Sequence, residues 1–154
     1  MFKQKPFLFS CVVLALLLGL HLAGSYWSWY WLYPGFDTLV HTVGGLWIGL
    51  LLLWLASIFG WLNSLKQYKV RSLLIAVLAA GLLGLVWEMM ENLTQITFIN
   101  VDGYKLNTVL DIGGDLLGGL LACLYFIQRK KCVVVSEDTM HPFYNQTGLS
   151  KCNQ

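Results

Sequence analysis

The sequence predicts an all-α membrane protein, a polytopic four-helix bundle with both termini on the cytoplasmic side. Three observations predict it. Of the 154 residues, 57% are hydrophobic and only 12% charged, with a mean hydropathy of +0.64; a soluble domain carries about 25% charged residues. Four stretches each hold the roughly 20 mostly apolar residues that a bilayer-spanning helix needs. Lys and Arg recur in alternate connections between those stretches. The net charge of +2 gives no reason to expect a nucleic-acid partner.

The first span runs from Phe7 to about Tyr30, in "PFLFSCVVLALLLGLHLAGSYWSWY". The second covers about Thr38 to Leu62, the third Val70 to Met90 and the fourth Thr108 to Ile127. Each is expected to be helical, because a helix pairs its backbone groups within one segment and an open strand in lipid does not. Lys3 and Lys5 precede the first span; Lys66, Lys69 and Arg71 separate the second and third; Arg129, Lys130 and Lys131 follow the fourth. The other two connections hold only Lys105. That bias places both termini on the cytoplasmic side of a multi-pass membrane protein. Aromatic residues from Tyr26 to Tyr33 then form a belt at the outer interface, with Trp61 and Tyr68 at the inner one.

Residues 132–154 read as a polar cytoplasmic tail, too short for a core of its own. A second reading of the N-terminus stays open. Lys3, Lys5, an apolar run and Ala23-Gly24-Ser25 also resemble a cleavable secretory signal, whose removal leaves three spans. The four cysteines, Cys11, Cys123, Cys132 and Cys152, form no CxxC and no zinc-type cluster, and no disulfide is assigned.

Six ionisable groups stand at the outer ends of the spans. Asp37 and His41 open the second span in "FDTLVHTVGG". Glu88 and Glu91 close the third in "WEMMEN", and Asp111 and Asp115 open the fourth in "DIGGDLLGG". Spacings of three and four put each pair on one helix face, one turn apart. Since the third span runs opposite to its neighbours, Asp37, Glu91 and Asp111 are expected in a shallow layer. His41, Glu88 and Asp115 are expected one turn deeper. Ionisable residues in spans face a bundle interior or a water-filled cavity. Five carboxylates this close need compensation, and a bound cation supplies it. Carboxylates with one imidazole suit a divalent metal such as Mg²⁺, Mn²⁺, Zn²⁺ or Fe²⁺. His41, Glu88 and Asp115 are the expected ligands.

The plainer explanation is that Asp37 and Asp111 merely cap their helices and Glu91 is solvated. It accounts poorly for the deeper trio on three separate helices. His21, late in the first span, reads as a satisfied helix histidine. Gly45 and Gly49, and Gly114 and Gly118, have the spacing that lets helix backbones approach, and Gly81 and Gly84 line part of the third span. In the loop before the fourth span, Asp102-Gly103 suggests a turn, and Lys105 could pair with a carboxylate or an anionic head group.

These motifs resemble those of the VanZ-like family of bacterial membrane proteins over roughly residues 34 to 125. That family has an Asp and a His four apart opening one span, matched by Asp37 and His41. A Glu-x-x-Gln-type pair ends the next, matched by Glu88 and Glu91. An Asp followed by an Asn and glycines opens the last, matched by Asp111, Asp115 and Gly118. This chain departs from the pattern at Thr38, where Lys is usual, at Glu91, where Gln is common, and at Asp115, where Asn is common. The family is named for an association with resistance to the glycopeptide teicoplanin. The resemblance implies a role in the cell envelope more than a particular reaction.

Three functions compete. The leading one is an outward-facing polar or metal site acting on a membrane lipid or lipid-linked molecule, by metal-assisted hydrolysis or transfer with a carboxylate as base. No Ser or Cys nucleophile has a base partner in the pattern. The alternative is a structural or partner-binding subunit whose cluster locks the bundle. A second alternative is an ion- or proton-coupled transporter, for which four helices are few unless the chain forms a homo-oligomer.

Overall fold

The computed structural model describes residues 4–62, 68–94 and 104–140. They form five helices: α1 (Gln4–Tyr26), α2 (Trp29–Leu32), α3 (Phe36–Ile58), α4 (Tyr68–Thr94) and α5 (Tyr104–Met140). Four are long and apolar enough to cross a membrane: Pro6–Tyr26, Phe36–Ile58, Tyr68–Glu91 and Leu106–Arg129. The expected four-span helical bundle is the observed architecture. Helices α3, α4 and α5 pack around a common core, and α1 lies chiefly against α3.

Several boundaries differ from expectation, and three of the differences have a clear local cause. The first span stops at Tyr26, not Tyr30. Ser28 adopts φ 58°, ψ 31°, the left-handed region, which costs a non-glycine residue roughly 1–2 kcal/mol. The chain turns there and restarts as the one-turn helix α2. The second span stops at Ile58. Gly60 takes φ 77°, and the Trp61 amide donates back to the Ala56 carbonyl at 3.0 Å, a Schellman ending that favours glycine at that position. Helix α5 continues to Met140, well into the stretch read as tail. Neither Gly nor Pro occurs between Gly119 and Met140, and the next breaker is Pro142.

Tyr68, expected at the inner interface, is buried among the helices at the start of α4. Its hydroxyl donates to the Phe126 carbonyl at 3.3 Å. Cys11 and Cys123 are both free thiols. The Asp102-Gly103 turn, the Lys105 side chain and residues 141–154 lie outside the described part of the chain.

Lipid gives apolar side chains little reason to prefer protein over membrane, so close packing and hydrogen bonds must hold the helices. Here the glycines serve that purpose. A Cβ on Gly45 would strike the Asp115 backbone, one on Gly118 the Gly45–Leu46 backbone, and one on Gly49 the Ala122 methyl. Backbones of α3 and α5 therefore touch along several turns. Ala76 and Ala80 of α4 receive Gly119 of α5 in the same way. At the end away from α2, Leu50, Leu53, Ala56, Ala122 and Phe126 fill the centre. The α2 end is where the charged residues gather.

Candidate functional site

Gly35, the residue that precedes α3 as its N-cap, takes φ 85° and offers no side-chain cap. Asp37 thus sits in the first turn without capping it. Asp111 lies seven positions into α5, too far from the start to act as a cap. The capping explanation therefore fails for Asp111, while Asp37 keeps a first-turn position where the helix dipole favours an acid.

His41 is the hub. Its Nδ1 is 2.9 Å from Asp115 Oδ2. Its Nε2 lies 3.8 Å from Glu88 Oε1 and 3.9 Å from Asp37 Oδ1. The deeper trio does converge from three helices. Relative exposures are 7% for His41, 5% for Glu88 and 4% for Asp115, so all three are buried. Asp115 reaches this point because Gly84 of α4 leaves the space its carboxylate fills.

Asp111 departs from its expected place. Expected in the shallow layer, it is completely buried. Thr38 Oγ1 donates to its Oδ1 at 2.6 Å, and Asn107 Nδ2 donates to its Oδ2 at 2.5 Å. Close approach of α3 and α5 at Gly114, whose Cβ would stand 2.8 Å from the Thr38 carbonyl, draws Asp111 inward. Asn107 also approaches Asp37 Oδ2 at 3.4 Å, bridging two acids. Thr108 Oγ1 donates to Glu88 Oε2 at 2.9 Å. Glu91 is half-buried and accepts from Trp87 Nε1 at 2.7 Å.

Among the described residues, the groups that come together as potential metal ligands are Asp37, His41 and Asp111, each offering one atom within 4.8 Å of the others. This differs from the expected set of His41, Glu88 and Asp115. With Asp115 hydrogen-bonded to Nδ1, the other nitrogen, Nε2, is the one facing Asp37. A carboxylate on the far nitrogen fixes the tautomer and orientation of a ligating imidazole. Asp115 thus occupies an orienting position, and Glu88 stands beside the open nitrogen.

Thr38, Asn107, Thr108 and Trp87 were not singled out from sequence. A signal existed for two of them. Thr38 neighbours Asp37, at a position where the VanZ-like pattern has Lys, and Asn107 precedes Asp111 by four, one turn on the same face. The Thr108–Glu88 contact joins two helices and had no local signature.

The fold and this centre define a class: a polytopic helical membrane protein with buried ionisable groups clustered at one end of its bundle. The chain belongs to the family described as predicted membrane protein (DUF2238), whose model matches residues 4–131. No curated protein and no solved structure matches it.

Proposed function

We propose that the chain is a metal-dependent, VanZ-like envelope protein of the bacterial cytoplasmic membrane that acts on a membrane lipid or lipid-linked molecule. Asp37, His41 and Asp111 hold a divalent cation, Asp115 orients His41, and Glu88 is the base beside it. The observation that carries this reading is the division of the imidazole. One nitrogen is bound to Asp115 at 2.9 Å, and the ring stands among Asp37 and Asp111, within 4.8 Å. Ligands about 2.0–2.2 Å from a small cation lie roughly 3–4 Å apart, within reach of small side-chain adjustments. A bound divalent ion would polarise a substrate oxygen and activate water there. Glu91, more open and held by Trp87, lies toward the rim.

Metal analysis of the purified protein tests the reading. About one equivalent of a divalent metal is expected for the native protein, with loss in His41→Ala and Asp111→Asn at retained folding. Metal-free native protein across a pH series would reject it. The outward placement follows from the Lys/Arg asymmetry. A reporter active only outside should work near Gly103 and fail at Gln154; the reverse pattern would put the site inside.

A second reading is favoured by one observation. The carboxylates have hydrogen-bond donors within the protein: Thr38 and Asn107 for Asp111, Thr108 for Glu88 and Trp87 for Glu91. In that reading the cluster is a polar lock that fixes how the helices meet. Transport is less supported, because Leu50, Leu53 and Phe126 close the core at the far end.

A further inference from the structure

Asn107 has no part in the chemistry assigned to Asp37, His41 and Asp111, yet its amide sits against two of them. It lies in the first turn of α5 and is exposed, at the rim of the centre. One nitrogen serves two acids from different helices. Asn107 Nδ2 donates to Asp111 Oδ2 at 2.5 Å and approaches Asp37 Oδ2 at 3.4 Å. The other oxygens of the same carboxylates are engaged elsewhere. Asp111 Oδ1 accepts from Thr38 Oγ1 at 2.6 Å, and Asp37 Oδ1 faces His41 Nε2 at 3.9 Å. The amide nitrogen therefore stands between the two remaining oxygens. There its hydrogens offset the repulsion of two carboxylates, which is also what a shared cation would do.

A cation held by both Asp37 and Asp111 is incompatible with that amide as it stands. An amide NH₂ group donates hydrogen bonds and does not serve as a ligand, so it would turn its positive edge toward the ion. A half-turn about the last side-chain bond removes the conflict. It exchanges Nδ2 for Oδ1, and an amide carbonyl oxygen is an ordinary ligand for hard cations. Two features of the fold permit the turn. Asn107 lies one helical turn before Asp111 on the same face, which keeps its Cβ beside the centre. Its exposure lets the amide rotate at the rim, where water receives the displaced NH₂ group.

We propose that Asn107 is a switching ligand of the Asp37–His41–Asp111 centre: its amide donates to both carboxylates when no cation is bound, and turns to place Oδ1 on the cation when one binds. The inference rests on the metal-centre reading above, and it narrows the class of cation. Three oxygen donors with one imidazole form a harder set than one richer in nitrogen or sulfur, and favour Mn²⁺ relative to Zn²⁺.

The test uses the full chain in detergent, with Mn²⁺ and Zn²⁺ affinities measured by competition against a chromophoric chelator. Asn107→Ala should weaken Mn²⁺ binding by at least about tenfold, since even a group outside the ligand set is worth that much to a metal site. Zn²⁺ should weaken less. Asn107→Asp separates the two roles of the amide, because a carboxylate has oxygens but no N–H. Without metal it sets a third acid against Asp37 and Asp111, so thermal stability should fall below native. With Mn²⁺ it supplies an oxygen ligand, so Mn²⁺ affinity should match or exceed native. Native or tighter Mn²⁺ binding in Asn107→Ala overturns the proposal, because a donor that never turns only competes for the carboxylates. Loss of Mn²⁺ binding in folded Asn107→Asp overturns it as well, since the N–H is then the part that matters. Equal losses of Mn²⁺ and Zn²⁺ in Asn107→Ala overturn the preference for the harder cation. Failure of the native protein to bind either ion rejects the metal centre itself, and this inference falls with it.

Discussion

At the α2 end of the bundle, His41, Glu88, Asp111 and Asp115 crowd between α3, α4 and α5. At the far end, Leu50, Leu53, Ala122 and Phe126 occupy the same central space. The two ends are built on the same close backbone contact, yet they are held differently. In lipid an apolar contact gains little beyond its fit, so the far end depends on shape. At the α2 end, each hydrogen bond names a partner: Thr38 for Asp111, Thr108 for Glu88, Asp115 for His41. That end sets the rotation of each helix about its axis, and the far end sets how tightly the helices hold.

The comparison can be broken at its shared foundation or sharpened at either end. Gly45→Leu should have the largest effect, because a side chain there meets the Asp115 main chain, which cannot move aside. A loss of at least about 3 kcal/mol is expected, read as failure to recover folded protein or a collapse of thermal stability in detergent. Gly114→Leu should act in the same direction but less, since the Thr38 carbonyl and Thr42 hydroxyl it meets are less tightly overlapped than the Asp115 backbone at Gly45. Native stability in both variants would remove glycine packing as the basis of the two ends.

Leu53→Ala comes next and separates the ends. Leu53 is fully buried in the far core, and a cavity there should cost about 2–4 kcal/mol with metal affinity unchanged. A matching fall in metal affinity would show that the two ends are not independent. Asp115→Asn probes the other end. If Asp115 orients His41, metal affinity should drop about 10- to 100-fold while thermal stability falls far less than in Leu53→Ala. Thr108→Val should be the mildest, about 1 kcal/mol, as one donor to Glu88 is lost and its other contacts remain.

The four spans were legible because lipid imposes both length and apolarity on any helix that crosses it. The breaks were less so. Gly60 stood in plain view, yet the apolar run was read through it to Leu62. Ser28 did not mark the end of α1, because a left-handed serine inside an aromatic run has no distinctive composition. In the site, the convergence of His41, Glu88 and Asp115 followed from spacing and direction alone. The depth of Asp111 did not. It depends on how closely α3 and α5 approach, which the glycines permit but do not measure. The exchange of roles between Asp111 and Asp115 arises from the same cause, because a helical register cannot say which ring nitrogen a carboxylate will meet. His21 was read as self-contained, and its partner Tyr30 became visible only once the chain turned back at Ser28.

Gly84 has no functional group, yet the Asp115 carboxylate lies where its Cβ would be. In a genetic screen Gly84→Ala should therefore score with Asp115→Asn, although a methyl group is the smallest lesion a glycine can suffer. It would expel the carboxylate and leave His41 unoriented without touching either residue. An unbiased selection for loss of function should then return alleles on α4 that carry no charge and no donor.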